Sequence, residues 1–304
     1  MNSYINLCEN CDRLSEYPEG CYEFLIEGFA GVFGHLIEPT VKNFSWNKHW
    51  AVDHDKKTVK LLGDSFETRR SGLEETLVHE RDIGTFNVLK RWTEERFPIY
   101  GPDRELVADI ERSAAGLFGI VTYGVQLITY CENEDGISIW AARRAANKAL
   151  YPNKLGVTVG GSLPAKETPF ECLVREAQEE ASLPSSLVTK AAKSVGILSY
   201  VTASDVKSAK GSEPGLIRAE VQYIYDMKVG PDVKPTPFDH EASDISLYSI
   251  EEIKKALDDG DFTPANACLM LDFFIRHGLV TYENEVNYVR ILTRLRRSLG
   301  IHTA

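Results

Sequence analysis

Gly161-Ser-Leu-Pro-Ala-Lys-Glu167 and, seven residues on, Arg175-Glu176-Ala-Gln-Glu179-Glu180-Ala-Ser182-Leu183 read as a loop entering a helix. Thr168 before Pro169, with Glu171 three positions later, has the form of a capping box with proline at the first helical position. Phe170, Leu173, Val174, Ala177 and Ala181 recur at the helical period and make one apolar stripe. Glu176, Glu179 and Glu180 fall on a neighbouring arc, related by i, i+3 and i+4. Like charges so spaced repel by about 0.2–0.5 kcal/mol per pair. Pro184 stops the helix near Ser182, so Glu179 and Glu180 occupy its last turn, at the negative end of the dipole. That placement costs each of them about 0.3–1 kcal/mol. A cation among the three acids would repay the cost.

A solvated acidic face would account for a Glu-Glu pair alone. It leaves unexplained Gly160-Gly161, the spacing to Glu167 and an arginine directly before the acids. Together Gly161, Glu167, Arg175, Glu176, Glu179 and Glu180 resemble the Nudix box. The departure is the last glycine of that motif, which is Ser182 here; it touches the helix exit and removes no ligand. The resemblance implies an α/β (mixed α+β) Nudix fold, a mixed β-sheet sandwiched between helices, and hydrolysis of a diphosphate linkage with Mg²⁺ or Mn²⁺.

Net charge is −11 over 304 residues, which argues against a nucleic-acid backbone as partner. No apolar run approaches a membrane span, and Met1-Asn-Ser-Tyr-Ile-Asn lacks the form of a secretory signal. A cytoplasmic protein acting on a small molecule is the expectation, with a homodimer left open. Cys8-x-x-Cys11 with Cys21 lacks a fourth ligand at workable spacing for zinc and reads as plain thiols.

Length suits two modest domains, and the expected division is 1–116, a small αβ domain, and 117–304. In the first, Tyr22–Glu27 and Gly31–Leu36 read as strands, Val52–Leu61 as a hairpin, and Leu73–Leu77, Ile83–Arg96 and Arg104–Ala115 as helices. In the second, Tyr123–Cys131 and Ile137–Arg144 read as a hairpin, Leu155–Gly160 leads into the box loop, and Ser194–Val201 and Ala219–Met227 alternate as strands. Ile250–Asp258, Ala265–His277 and Glu285–Arg297 read as helices.

Trp140-Ala-Ala-Arg-Arg-Ala, Lys148-Ala-Leu-Tyr-Pro-Asn-Lys-Leu155 and Asp272-Phe-Phe-Ile-Arg-His-Gly278 are similar to the fungal and plant Nudix branch labelled thiamine pyrophosphokinase-related, whose members carry an additional amino-terminal domain. No Walker-type glycine loop is present, so the label implies no kinase.

Carboxylates holding Mg²⁺ or Mn²⁺ attract a diphosphate that bare carboxylates would repel. Glu176, Glu179 and Glu180 are the expected ligands, with the Gly161 carbonyl completing the shell because glycine lets a main chain approach closely. Glu167 and Arg175 are implied by the resemblance as the pair that orients loop and acids. The general base is either a box glutamate or Glu241, for which a solvated loop acid is the competing reading. Arg143, Arg144, Lys148 and Lys154 are candidates for phosphate oxygens; on a strand, adjacent arginines point apart, so one of the pair reaches the site. Tyr123, Trp140 and Tyr223 are candidates for stacking on a ring or for the core. The branch points to thiamine diphosphate or its oxo analogues as substrate. The alternatives are an oxidised nucleoside diphosphate such as 8-oxo-dGDP and a non-catalytic binding module.

Overall fold

The computed structural model describes residues 3–134, 136–148, 150–204, 212–238 and 240–304; Ala149, which falls in a stretch quoted above, lies outside them. After α1 (Tyr4–Cys11) come β1 (Tyr22–Ile26), β2 (Gly34–Leu36), α2 (Glu38–Asn43), β3 (Trp50–Asp53) and β4 (Thr58–Leu61), whose strands form a sheet in the order β2-β1-β4-β3. Only β1–β4 is parallel. α3 (Phe66–Ile83) starts at a Ser65 capping box and buries Leu73 and Leu77. The core here is aromatic, with Phe24, Phe33, Trp50 and Phe118 in ring contact.

Two expected helices fail in this half. The helix expected over Ile83–Arg96 ends at Ile83, because Gly84 takes the left-handed conformation at φ 74°. Phe86 and Leu89 then reach the core from a short 3-10 turn, Asn87–Arg91. The helix expected over Arg104–Ala115 is largely a strand. Arg104, at φ 63°, closes a turn that pairs β5 (Arg96–Tyr100) with β6 (Leu106–Glu111), and the helix α4 is only Ala115–Phe118. The pairing lets Arg96 Nε reach the buried Asp109 carboxylate at 2.6 Å, a partner a local helix could not supply.

The second half holds β7 (Val121–Asn133), β8 (Gly136–Arg144), β9 (Leu155–Gly156), β10 (Val159–Ser162), α5 (Pro169–Ala181), α6 (Ser185–Ala191), β11 (Lys193–Ala203), β12 (Ile217–Lys228), β13 (Ala242–Ser249), α7 (Ile250–Asp258), α8 (Pro264–Arg276) and α9 (Tyr288–Leu295). Its seven-stranded sheet runs β11-β12-β7-β8-β13, with β10 on β7 and β9 on β8. Strands β12 and β7 are parallel and the rest antiparallel, so the sheet is mixed. One face packs on α5 and α6 around Leu127, Leu173 and Val188, the other on α1, α7, α8 and α9 around Ile128, Phe273 and Ile291. This is the expected sandwich.

The first helix belongs to that second core. Ile5, Cys8 and Cys11 of α1 are buried with Cys268 of α8, and all six cysteines are thiols. Asp12, just after α1, is 4% exposed and accepts the Val201 N–H at 2.9 Å and Arg297 Nη1 at 2.7 Å. At the other end His302 donates its N–H to the Val32 carbonyl at 3.0 Å and packs on Phe33. Asp272 and His277, in one of the stretches that carry the branch likeness, lie in an ion network with Asp226, Arg276 and Arg296, which ties α8 to β12.

His35, on β2 with its ring 3.8 Å from that of Tyr17 and tilted to it by 33°, has its pKa pushed down to about 4 by burial. Between that value and the ordinary 6.5 the unfolded chain binds the proton more tightly, so stability is present above about pH 6.5 and is lost as pH falls toward 4. The loss reaches about 3 kcal/mol at most. Urea unfolding at pH 7 and pH 4.5 measures it; a His35→Phe variant losing as much as wild type would assign the loss to other groups.

Candidate active site

Strand β10 lies antiparallel to β7 with Gly160 opposite Gln126 and Gly161 opposite Val125. Loop and helix then follow as the local chemistry directs. Thr168 Oγ1 accepts the Glu171 N–H at 3.3 Å and Glu171 returns a carboxylate to the Thr168 N–H at 2.9 Å. Cys172, Leu173, Ala177 and Ala181 are fully buried under the sheet, which fixes the rotation of α5. Ser182 takes the left-handed cap at φ 53° that a glycine would otherwise supply.

That rotation sets Glu176 and Glu180 against β10, while Glu179 is exposed and lines a separate cavity with Phe170 and Val174. Gly161 leaves room for Glu176: a Cβ there would stand 2.3 Å from the Glu176 carboxyl carbon. Glu180 Oε2 accepts the Gly160 N–H at 2.9 Å. Arg175 holds Glu167 through two bonds of 2.8 Å and spans Glu176 and Glu179 at 3.0 Å each through Nη1. The arginine thus offsets the repulsion that the sequence leaves among the acids, and it holds the Glu167 carboxyl below its usual range. Glu176 is half-buried, and desolvation raises its pKa, with Glu179 and Glu241 adding to the rise against Arg175.

Glu241, at the entry to β13, comes to the same place from 61 residues beyond Glu180. With Glu180, Arg144, Gly160 and Asn266 it lines a cavity of about 170 Å³. Lys148 pairs with Glu241 at 2.7 Å. Of the adjacent arginines, Arg144 reaches this cavity while Arg143 turns to Asp261 at 3.1 Å, as strand alternation requires. Lys154 donates to the Gly260 carbonyl at 2.7 Å, beside Arg143 and away from the acids. Trp140 is buried beneath α5 and lines neither cavity at the box. Tyr123 stacks on Tyr223, and its hydroxyl accepts the Ala304 N–H at 2.9 Å.

A second cavity, about 560 Å³, adjoins the first; Gln126 and Gly160 line both. It lies between the sheet and residues 88–116, and Tyr123 is in its wall. Glu220, Gln222, Arg112 and Ser113, which line it, escape a reading by motif. The available signal is alternation: Glu220 and Gln222 put polar groups on one face of a strand whose other positions, Ala219 and Val221, are apolar and buried.

Residues 122–266 match the NUDIX domain family, and residues 3–122 match a domain of unknown function, DUF4743. Nudix hydrolase 24, chloroplastic, of Arabidopsis thaliana is 30% identical to this chain over 97% of it and 78% of its own length. The chain belongs to the Nudix hydrolase family. An uncharacterised protein of Saccharomyces cerevisiae is 30% identical to this Nudix hydrolase, over 99% of it and 92% of the yeast chain. Nudix hydrolase 20, chloroplastic, of Arabidopsis thaliana is 29% identical over 79% of it and 61% of the plant chain. The protein is therefore a Nudix diphosphate hydrolase, of a family that generally uses divalent metals. No helix among the described residues is long and apolar enough to cross a membrane.

The donors present fit such an ion. Carboxylates and a glycine carbonyl are the hard oxygens that Mg²⁺ and Mn²⁺ take, and the space at Gly161 brings backbone and Glu176 together. Among the described residues no three His, Cys, Asp or Glu side chains are gathered as a metal cage, and Arg175 bonds Glu176 and Glu179 at 3.0 Å each.

Proposed function

We propose that this Nudix hydrolase cleaves a small diphosphate ester with a heteroaromatic head, thiamine diphosphate or one of its oxo analogues, to the monophosphate and phosphate, with Mg²⁺ or Mn²⁺ as cofactor. The observation that supports it is the pair of adjoining cavities, an acidic one at the box and a larger one of a size suited to a small organic head. The sequence likeness to the thiamine-labelled branch supplies the identity of the head.

Glu176, Glu179, Glu180 and the Gly161 carbonyl would hold the metal. The ion, when bound, neutralises phosphate charge and acidifies a water. Arg144 and Lys148 face the phosphates from β8 and the turn after it. Glu241 would accept a proton from the attacking water, a role supported by its place on the wall of the acidic cavity and by its pairing with Lys148 through Oε1 at 2.7 Å. Water adds to the terminal phosphorus, and the bond from that phosphorus to the bridging oxygen breaks. Arg175 and Glu167 position the acids and touch no substrate.

A cavity of 560 Å³ also accommodates a nucleoside, which keeps 8-oxo-dGDP as the competing substrate. Side-by-side kcat/KM values for thiamine diphosphate, its oxo analogues, ADP and 8-oxo-dGDP decide between them. Thiamine-type heads are expected to lead by tenfold or more. Nucleotides leading by that margin would replace this reading with a nucleotide-sanitising one.

A further inference from the structure

The larger cavity has a built floor and a built roof, supplied by different halves of the chain. The floor is one face of the sheet, where the parallel register of β7 and β12 sets Gly124 beside Gln222. A Cβ on Gly124 would stand 2.3 Å from Gln222 Oε1, so the missing side chain makes room for a polar chain across the strands. Gln126 Nε2 donates to Gln222 Oε1 at 2.8 Å, and Gln222 Nε2 donates to Glu220 Oε2 at 3.0 Å. The buried Tyr200 hydroxyl donates to the same Glu220 oxygen at 2.5 Å. Every donor in the chain points toward Glu220, which ends it as a doubly held carboxylate. No partner of its other oxygen, Oε1, is found among the described residues.

The roof comes from the segment after β6. Ser113 lines the cavity, and its Oγ is buried with no hydrogen-bond partner among the described residues. An unsatisfied buried hydroxyl costs free energy that a ligand acceptor or donor recovers. Arg112 beside it sits over Phe97 and pairs with Glu95 at 2.6 Å, so its charge is held at the cavity wall.

We infer that this composite cavity is the head-group site, that Glu220 Oε1 accepts an N–H from the edge of a planar ring, and that Ser113 and Arg112 of the amino-terminal half bond the ring's opposite polar edge. The assignment rests on the diphosphate-ester reading above. It makes Glu220 a specificity-determining residue and gives the amino-terminal half a part in substrate choice. The ligand class is a ring with an amino or lactam N–H, carried on a diphosphate that extends past Gly160 to the box acids.

The test compares wild type, Glu220→Gln and Ser113→Ala on thiamine diphosphate, on 8-oxo-dGDP and on methyl diphosphate, which has no ring. Gln keeps an acceptor for Tyr200 while losing the charge, and Ser113→Ala removes a hydroxyl that bonds nothing, so both variants should melt near wild type. On the better ring-bearing substrate, Glu220→Gln should raise KM about 10- to 100-fold and Ser113→Ala about 5- to 10-fold. Rates on methyl diphosphate should stay within twofold. Equal losses on ring-bearing and ringless substrates, or none on either, overturn the proposal; if Glu220→Gln melts early, Ser113→Ala decides by the same criterion. A wild-type enzyme that treats methyl diphosphate like the ring-bearing esters overturns the substrate reading and this proposal with it.

Discussion

Replacing Glu180 with Gln should lower kcat by about a thousandfold or more and leave the fold intact. A thousandfold corresponds to about 4 kcal/mol of transition-state stabilisation, the scale of losing a metal-bound carboxylate at the reacting phosphate. Glu180 lines the acidic cavity, and it accepts the Gly160 N–H at 2.9 Å, a bond that the Gln carbonyl can supply. Glu179→Gln should also cut turnover by orders of magnitude. It removes one of the acids bonded to Arg175 at 3.0 Å, and the Tm should hold or rise slightly because a repulsion at the helix end goes with it. Steady-state rates at saturating Mg²⁺ and again at saturating Mn²⁺, with thermal melts beside them, measure both variants. Near-wild-type rates in both would place the chemistry elsewhere.

The second large effect concerns stability. Asp12→Ala should cost about 3–5 kcal/mol, because it strips a 4%-exposed carboxylate from Arg297 and Arg294 and from the Val201 N–H. In a chain of this size that corresponds to about 10 °C in Tm. A loss under 1 kcal/mol would show the network to be solvated in solution. The same contacts bear on a truncation at Gly116, which the sequence division suggests would leave a working hydrolase domain. Such a chain also loses Ile5, Cys8 and Cys11 from the core around α8, at about 1.5–3 kcal/mol for a fully buried apolar side chain. Together these losses rival the whole stability of a typical domain, so the truncated chain should not fold cooperatively. Point variants at Ser113 and Glu220 are therefore the route to the amino-terminal half's role.

The box acids, the capping of their helix, the long strands after Val121 and the family were legible in the sequence, because each rests on spacing along one element or on a contiguous motif; β13, which pairs with β8, was not foreseen. Spacing put Glu176, Glu179 and Glu180 on one arc, and the structure keeps them there. Alternation foresaw that Arg143 and Arg144 diverge, and the fold decided that Arg144 is the one at the cavity. The tertiary structure alone settled the rest. It turned Arg104–Ala115 from an apparent helix into β6, since a hairpin partner gives Asp109 and Glu111 buried hydrogen bonds that local propensity does not register. It carried α1 across to the far core, set Glu241 and Lys148 against the box, and formed the larger cavity from Ser113 and Glu220, 107 positions apart. Periodicity reports which face of an element is buried; what that face meets depends on contacts between elements far apart in the chain, and such contacts leave no repeat in one sequence.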